Sequence, residues 1–371
     1  MRKIRVLVVD DAVVVRRMVT DLLSADPDLE VVGTAANGRL ALAKLPQLTP
    51  DLVTLDIEMP ELDGLETLVG LRKAYPRLPV IMFSTLTERG ASATLEALAR
   101  GATDYVTKPA NVGSVTLAQA RIREELIPRI KALCAHLLPR PAAPAGGPRP
   151  VPSASLPPVP TRVGPPPRIE VVAIGVSTGG PNALAELLPK LPGDFPVPIV
   201  IVQHMPPVFT RFLADRLSAA SQLAVKEAAD GVRLAPGGVW VAPGNFHMLL
   251  QRDAEGVRVV LTQDPPENSC RPAVDPLFRS AAECFGERVL GVVLTGMGHD
   301  GLRGAAEIRR AGGVMIAQDE ATSVVWGMPG ALVQHQQADL VLPLARIAPE
   351  VARRALVGRL PQRLPSASPA R

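Results

Sequence analysis

Residues 4–23 read IRVLVVDDAVVVRRMVTDLL, and this stretch decides the fold of the first part of the chain. It begins with a mostly apolar run that has the length of a buried strand, and two aspartates end that run. Behind the aspartates, apolar residues recur at helix spacing: Val15, Met18, Val19, Leu22 and Leu23. A strand followed by a helix with one apolar face is the repeating unit of a parallel sheet covered by helices.

The same alternation of apolar strands and helical patterns continues to residue 138. Further strands are predicted at 31–35, 52–55, 80–83 and 104–107. Near the end, apolar residues again fall at helix spacing: Leu126, Ile130, Leu133 and Leu137. The pattern therefore predicts an α/β domain with five parallel strands over residues 1–138.

The composition changes abruptly over residues 139–168, which contain 12 prolines in 30 positions. Such a segment cannot form a packed core, so we expect an extended linker between two domains. It carries four arginines and no lysine, aspartate or glutamate, and these arginines equal the whole formal charge of +4. The remaining residues are formally neutral and the chain is only 3% aromatic, so we expect no nucleic-acid partner.

A second series of strands and helices begins at residue 169. Apolar strands are predicted at 171–174, 199–202, 239–242, 257–261, 290–294 and 314–317. Their valine and isoleucine runs indicate a doubly wound, mainly parallel α/β domain, although the middle strands could form an antiparallel hairpin. We place this domain at 169–358 and expect the Pro-, Arg- and Ser-rich tail 359–371 to be disordered.

The positions of the cysteines and the shortness of the apolar runs indicate the cellular compartment of the protein. Cys134, Cys270 and Cys284 lie far apart without a CxxC pair, so we expect buried, inert thiols rather than disulfides or a zinc site. Asp10 and Asp11 end the first apolar run too early for a signal peptide, and no apolar stretch is long enough to span a bilayer. The protein is expected to be cytoplasmic, without membrane insertion.

Polar residues follow four predicted strands of the first domain where each strand ends: Asp10, Asp11, Asp56, Ser84 and Lys108. Each of them singly is more often a helix cap or a turn residue. Together they should converge on one pocket, because the carboxyl ends of parallel strands meet at one sheet edge. Three carboxylates held together repel one another unless a hard cation such as Mg²⁺ neutralises them, and the lysine can pair with an anion there.

With DIEMPELDG at 56–64 and Lys-Pro at 108–109, this set resembles the response-regulator receiver family over about residues 3–125. The resemblance implies a flavodoxin-like domain in which Asp56 accepts a phosphoryl group from a histidine kinase. It also implies that Mg²⁺ is held by Asp10, Asp11, Asp56 and the Glu58 backbone. Lys108 and Ser84 would contact the phosphoryl group. Tyr105 would be the aromatic switch, a side chain whose rotamer reports the phosphorylation state.

The second domain contains GVSTGG at 175–180, directly after an apolar strand and before a helical pattern. Glycines around a serine allow a sharp strand-to-helix turn that exposes the hydroxyl, although an ordinary turn or an anion-binding loop fits this motif equally well. His204 and Asp300 also follow predicted strands, so serine, histidine and aspartate share one sheet edge. Their order in the chain, Ser-His-Asp, differs from that of α/β-hydrolases.

These residues, with VQHMP, NSCRPAVDPLF, LTGMGHDG and AQDEATSVVWGMP, resemble the catalytic domain of chemotaxis methylesterases over about residues 168–355. The resemblance implies Ser177 as nucleophile, His204 as general base and Asp300 as the residue that orients the imidazole. Backbone N–H groups near Met297 and the Ser177 turn would stabilise the oxyanion, without any cofactor. The implied substrate is a glutamate γ-methyl ester on a chemoreceptor, and glutamine deamidation would use the same intermediate.

Three alternatives remain open at the level of sequence. His299, adjacent to Asp300, competes with His204 as the base, although we interpret it as a loop residue. The output domain of a response regulator can instead bind DNA, but no helix-turn-helix is recognisable here. A noncatalytic adaptor is disfavoured by the intact triad. In the favoured interpretation, phosphorylation of Asp56 activates an esterase that the first domain otherwise covers.

Overall fold

The computed structural model of the protein describes residues 2–108, 115–138 and 167–359. The predicted linker, except for its last two residues, lies outside the described residues, as do Pro109 and the predicted tail beyond Arg359. Within the described ranges, no helix is long and apolar enough to cross a membrane.

The first domain is a five-stranded parallel sheet flanked by helices. Its strands are β1 Ile4–Val9, β2 Leu29–Ala35, β3 Leu52–Asp56, β4 Val80–Ser84 and β5 Asp104–Thr107. Its helices are α1 Val13–Ser24, α2 Gly38–Leu48, α3 Gly64–Ala74, α4 Glu88–Ala99 and α5 Val115–Leu133. The strand order β2-β1-β3-β4-β5 confirms the flavodoxin-like prediction.

Burial on both faces of this sheet explains its apolar strands. Val8 packs in one core with Leu23 of α1 and Leu126 of α5, whereas Val9 belongs to the opposite core with Leu68 of α3. Successive residues of a strand point to opposite faces, so a strand between two helical layers must be apolar at nearly every position. The removal of these side chains from water is the main force that holds the layers together.

The loop after β3 is held by local interactions. Asp63 accepts a hydrogen bond from the Glu66 N–H while the Glu66 carboxylate accepts one from the Asp63 N–H, which forms a capping box at the start of α3. A side chain at Gly64 would place its Cβ 2.2 Å from the carbonyl oxygen of Asp56. Only glycine therefore lets α3 begin this close to the end of β3.

The second domain contains nine strands among the described residues, in two sheets. They are β6 Val171–Val176, β7 Ile199–Gln203, β8 Ala224–Glu227, β9 Gly238–Val241, β10 His247–Asp253, β11 Gly256–Thr262, β12 Val289–Val293, β13 Val314–Gln318 and β14 Leu340–Leu342. Its helices are α6 Gly180–Leu187, α7 Phe209–Ala220, α8 Val274–Phe285, α9 Leu302–Arg310, α10 Met328–Gln334 and α11 Leu344–Ala355.

Seven of these strands form a parallel sheet in the order β14-β13-β12-β6-β7-β9-β8. The other two, β10 and β11, form a separate antiparallel hairpin. Of the two predicted middle strands, 257–261 therefore lies in a hairpin, whereas 239–242 belongs to the parallel sheet as β9. The sequence did not predict β8, β10 or β14. The two edge strands β8 and β14 are short and partly exposed, so they lack the continuous apolar run of a central strand.

The two domains are in contact through α4 of the first domain and α6 and α7 of the second. Across this boundary, Asn182 Nδ2 donates to the Leu98 carbonyl at 2.9 Å, and Arg216 donates to the Leu95 carbonyl at 3.0 Å. Buried apolar residues of both domains belong to one continuous cluster. The contact therefore combines apolar burial with hydrogen bonds to backbone carbonyls at one side of α4.

Candidate active site

The structure brings the polar residues at the edge of the first sheet together, as predicted. Asp10, Asp11 and Asp56 place carboxylate oxygens within 4.8 Å of one another. Lys108 Nζ lies 3.0 Å from Asp10 Oδ2 and 2.7 Å from Asp56 Oδ2. Burial raises the pKa of the Asp56 carboxyl to about 6, against the opposing attraction of Lys108. One lysine thus pairs with two of the three carboxylates, which leaves negative charge at the site.

This donor set fits a hard divalent cation. Carboxylate oxygens are the ligands that Mg²⁺ prefers, and added positive charge would relieve the repulsion among the three aspartates. Glu58 lines the same cavity of about 330 Å³, but its carboxylate faces Arg89 at 3.5 Å. That the Glu58 backbone would serve such an ion stays a prediction.

Ser84 and Tyr105 occupy different surroundings: Ser84 lines this pocket, whereas Tyr105 lines a cavity between the domains. Ser84 lines the cavity and its hydroxyl donates to the Gly90 carbonyl at 3.0 Å, at the start of α4. Tyr105 is buried, and its ring stacks on Phe209 of the second domain with centroids 5.2 Å apart and planes 8° apart. The residue predicted as the aromatic switch is thus part of the contact between the domains.

In the second domain, Ser177 occupies a tight turn between β6 and α6. Its N–H donates to the Thr295 carbonyl at 3.0 Å, and its carbonyl accepts from the Gly180 N–H at 2.8 Å. Gly179 has φ of 77°, and a Cβ at Gly180 would lie 2.0 Å from Gln203 Oε1. The two glycines are therefore required by the backbone conformation and by close packing against β7.

His204, which is partly buried, and the buried Asp300 form a pair at the carboxyl edge of the same sheet. His204 Nε2 lies 2.7 Å from Asp300 Oδ2, and the Asp300 side chain is 2% exposed. Asp300 also accepts from the N–H groups of Val274 at 2.6 Å, Asp275 at 3.1 Å and Gly301 at 2.9 Å. Burial opposes ionisation, but the hydrogen bond to His204 and those from the backbone lower the pKa of Asp300.

The other nitrogen of His204 faces a thiol. Cys270 Sγ lies 3.5 Å from His204 Nδ1. Burial works against the imidazolium, but the hydrogen bonds to Asp300 and Cys270 and the charges of these residues raise the pKa of His204 to about 10. These contacts therefore favour the imidazolium form of His204 in this conformation.

Ser177 lies at the same edge but is not hydrogen-bonded to this pair. Val176 of β6 pairs with Gln203 of β7, so Ser177 and His204 follow paired positions. A Cβ at Gly296 would lie 2.8 Å from the Ser177 Cβ, so the serine packs on the loop that carries Asp300. Within the described ranges, no hydrogen bond joins the Ser177 hydroxyl to the imidazole.

Met297 and His299 belong to the loop between β12 and α9. Among the described residues, the half-buried Met297 has no acceptor for its backbone N–H, so this group is free to donate to a ligand. His299 is exposed, whereas His204 is the histidine that touches Asp300.

Two residues that contact this pair were missed as site residues. Cys270 and Cys284 were expected to be buried thiols, but both are only half-buried, so that expectation is wrong for these two, and Cys270 touches His204. Asn268 donates from Nδ2 to Asp300 Oδ1 at 2.8 Å. Both Cys270 and Asn268 belong to the NSCRPAVDPLF stretch, so the resemblance marked this segment but not these two residues.

The first domain covers this edge of the second. Thr178, next to Ser177, donates to Asp104 Oδ2 at 3.2 Å, and Arg129 Nε lies 3.2 Å from the same oxygen. A cavity of about 280 Å³ remains between the domains, and it is lined by residues of both: Tyr105, Thr107, Glu125, Arg129, His204, Met205, Pro206, Ser269, Cys270, Arg271 and Pro272. Access to His204 therefore passes between the domains.

A five-stranded receiver-like domain resting on the catalytic edge of an α/β domain defines a class, a response regulator joined to an esterase. The family model of the response regulator receiver domain matches residues 6–119, and that of CheB methylesterase matches residues 172–351. The catalytic domain of CheB methylesterase from Thermotoga maritima is 45% identical, covers 50% of this chain and 98% of its own, and has a TM-score of 0.49.

Curated relatives match nearly the whole chain. A protein-glutamate methylesterase/protein-glutamine glutaminase of Trichodesmium erythraeum is 52% identical over 361 residues, or 95% of this chain and 99% of that protein. One of the same name from Nocardioides sp. is 54% identical over 369 residues, or 99% of this chain and 98% of that protein. The chain belongs to the protein-glutamate methylesterase/protein-glutamine glutaminase family, with a receiver domain followed by a CheB-type methylesterase domain.

Proposed function

We propose that this protein hydrolyses glutamate γ-methyl esters on chemoreceptors and releases methanol, under the control of aspartyl phosphorylation. The observation that carries the proposal is the hydrogen-bonded His204–Asp300 pair at the sheet edge next to the Ser177 turn, covered by the receiver domain. Glutamine side chains of the same receptors are proposed as second substrates, because their deamidation needs the same attack on a γ-carbonyl.

The proposed reaction begins when the Ser177 oxygen attacks the ester carbonyl and His204 takes the hydroxyl proton. Asp300 stabilises the resulting imidazolium, and the free N–H of Met297 donates to the oxyanion. His204 then returns the proton to the leaving methoxide, so methanol departs and an acyl-enzyme remains. Water, deprotonated by His204, hydrolyses the acyl-enzyme to glutamate and restores Ser177.

These reaction steps require a change in the conformation around His204. His204 Nε2 is engaged by Asp300, so the proton of Ser177 must go to Nδ1, which here faces Cys270. The imidazole must also be neutral to act as a base. We therefore assign the described conformation to a resting enzyme whose base is occupied.

In the receiver domain, Asp56 is the proposed phosphoryl acceptor. Asp10, Asp11, Asp56 and the Glu58 backbone would hold Mg²⁺, which when bound neutralises charge that develops on the phosphoryl group. Lys108 already lies 2.7 Å from Asp56 and would pair with that group. A chemotaxis-type histidine kinase is the proposed phosphodonor.

The proposed control is steric. The cavity of about 280 Å³ between the domains has no room for a receptor helix, so the receptor reaches His204 only after the receiver moves away. Phosphorylation would rearrange Ser84 and Tyr105, and the stack of Tyr105 on Phe209 ties that rearrangement to the interface. A complete shift from closed to open needs about 5 kcal/mol, so we expect partial activation.

We also propose the limits of the domains. Residues 1–138 form the receiver domain, 139–168 the linker, 169–358 the esterase domain and 359–371 a C-terminal tail. A linker of this composition keeps the domains at roughly millimolar effective concentration, so a weak interface suffices for the closed form.

The test is methanol release from methylated receptor membranes by the full-length protein, with and without acetyl phosphate and Mg²⁺. We expect slow release that increases on phosphorylation, and no increase for Asp56→Asn, which lacks the carboxylate nucleophile. Absence of methanol under all conditions would favour a noncatalytic adaptor. Acid-labile phosphate incorporated fully into Asp56→Asn would contradict the assignment of the acceptor.

A further inference from the structure

Residues 267–270 form a tight turn next to the His204–Asp300 pair. The Glu267 N–H donates to the Cys270 carbonyl at 3.1 Å, and the Cys270 N–H donates to the Glu267 carbonyl at 2.8 Å. Its central residues, Asn268 and Ser269, have φ of 51° and 62°. Two consecutive residues with a Cβ in the left-handed region are unfavourable, so the surrounding structure must hold this turn in place.

The turn is anchored from α8. Arg279 donates to the two Glu267 carboxylate oxygens at 3.0 Å and 2.5 Å, the two-pronged geometry of a strong arginine–carboxylate pair. The turn then presents Asn268 to Asp300 and Cys270 to His204. One strained, anchored turn therefore touches both members of the pair.

The Asn268 carboxamide lies between two buried carboxylates. Its Nδ2 donates to Asp300 Oδ1 at 2.8 Å and to Asp275 Oδ2 at 3.0 Å, and these aspartates are 2% and 1% exposed. Burial and the charge of Asp300 raise the pKa of Asp275, while the pKa of Asp300 is lowered. An amide that donates both protons to this carboxylate pair satisfies oxygens that would otherwise repel each other in a dry site.

We propose that Asn268 is a positioning residue of the esterase: its carboxamide fixes Asp300 at the distance and orientation at which it holds His204. The inference rests on the proposed function, in which His204 is the base. The hydrogen bonds of the Asn268 side chain go to Asp275 and Asp300, so it acts through Asp300. Asparagine suits the position because it tolerates a left-handed backbone and supplies two amide protons at once.

The test compares Asn268→Gly with the matched control Ser269→Gly in the full-length protein. Glycine accepts both backbone conformations, so each variant keeps the turn, but only Asn268→Gly removes the carboxamide. We expect Asn268→Gly to lower kcat for receptor demethylation by about 10- to 100-fold with little change in KM, the effect of losing hydrogen bonds to a charged group. Ser269→Gly should lose far less kcat, because it keeps both hydrogen bonds of the Asn268 carboxamide. Since Ser269 lines the cavity between the domains, any effect of this change should appear in KM.

A spectroscopic measurement separates positioning from general damage. The N–H proton between His204 and Asp300 should give a downfield ¹H NMR signal in wild type and Ser269→Gly, assigned by its loss in His204→Gln. Asn268→Gly should broaden or abolish that signal while the thermal midpoint stays close to that of Ser269→Gly. If Asn268→Gly fails to fold, Asn268→Asp, which keeps the shape but removes the amide donor, is expected to lose the signal as well.

A folded Asn268 variant with the wild-type signal and wild-type kcat would overturn the proposal. Failure of the proposed function looks different, because wild type and Ser269→Gly would then also release no methanol. In that case the NMR signal still decides whether Asn268 positions Asp300.

Discussion

At the residue scale, the assignment of the nucleophile makes the sharpest prediction. Ser177→Ala should lower the rate of methyl-ester hydrolysis by several orders of magnitude, which is the usual effect of losing a member of such a triad. The fold should be unchanged, because within the described ranges the Ser177 hydroxyl makes no hydrogen bond to the protein. Methanol release and circular dichroism measure the two outcomes.

The choice between two histidines is tested in the same assay. His204→Ala should cost as much activity as Ser177→Ala, whereas His299→Ala should cost little, because His299 is exposed and His204 contacts Asp300. The opposite ranking would make His299 the base.

Cys270 should control the pH dependence of the reaction. Its hydrogen bond and charge help to raise the pKa of His204 to about 10, against the opposing effect of burial. Cys270→Ala removes those contributions, so the pKa of His204 should fall and the imidazole should become neutral at lower pH. Because the base must be neutral, the acidic limb of the kcat/KM profile should move to lower pH.

The control for that shift is Cys270→Ser, which keeps a hydrogen-bonding group against His204 Nδ1 and should remain closer to wild type. An acidic limb that moves to higher pH in Cys270→Ala would show that the thiol does not raise the pKa of His204.

At the scale of elements, the contact of α4 with α6 and α7 should set the basal activity. Asn182 Nδ2 donates to the Leu98 carbonyl at 2.9 Å, and loss of such a hydrogen bond weakens an interface by about 1 kcal/mol. Asn182→Ala should therefore raise the demethylation rate of the unphosphorylated protein by about 2- to 10-fold. The rate of the phosphorylated protein should increase by a smaller factor, because a larger part of its population is already open.

Arg211→Ala is the matched control for this element. Its ion pair with Glu88 crosses the same contact, but both side chains are well exposed, at 50% and 70%. Exposed pairs contribute little, so this variant should resemble wild type. Equal activation by both variants, or by neither, would contradict the role given to the Asn182 hydrogen bond.

At the scale of the whole molecule, the covering of the esterase edge predicts inhibition by the receiver domain. The fragment 168–358 should demethylate receptors faster than the unphosphorylated full-length chain, and phosphorylation should narrow the gap. Initial rates at matched concentration on the same membranes measure this. Equal rates would contradict inhibition, and a slower fragment would mean that the receiver domain activates or delivers the enzyme.

The sequence by itself determined the two α/β domains and the edge of each sheet that carries the chemistry. A strand buried between helical layers must be apolar, and the polar residue that ends it is visible locally, as at Asp56, Ser177 and His204. The turn glycines were equally visible, since Gly179 and Gly180 stand where the backbone has no room for a side chain.

Only the tertiary structure decided which residues complete the site. His204 meets Asp300 across 96 residues of chain, and Thr178 meets Asp104 across 74. The position of Cys270 on His204 likewise depends on how a turn packs against a distant strand. Hydrophobic periodicity records which face of an element is buried but not which polar atoms meet there. Those contacts follow from the packing of whole elements, so they could be read only from the folded chain.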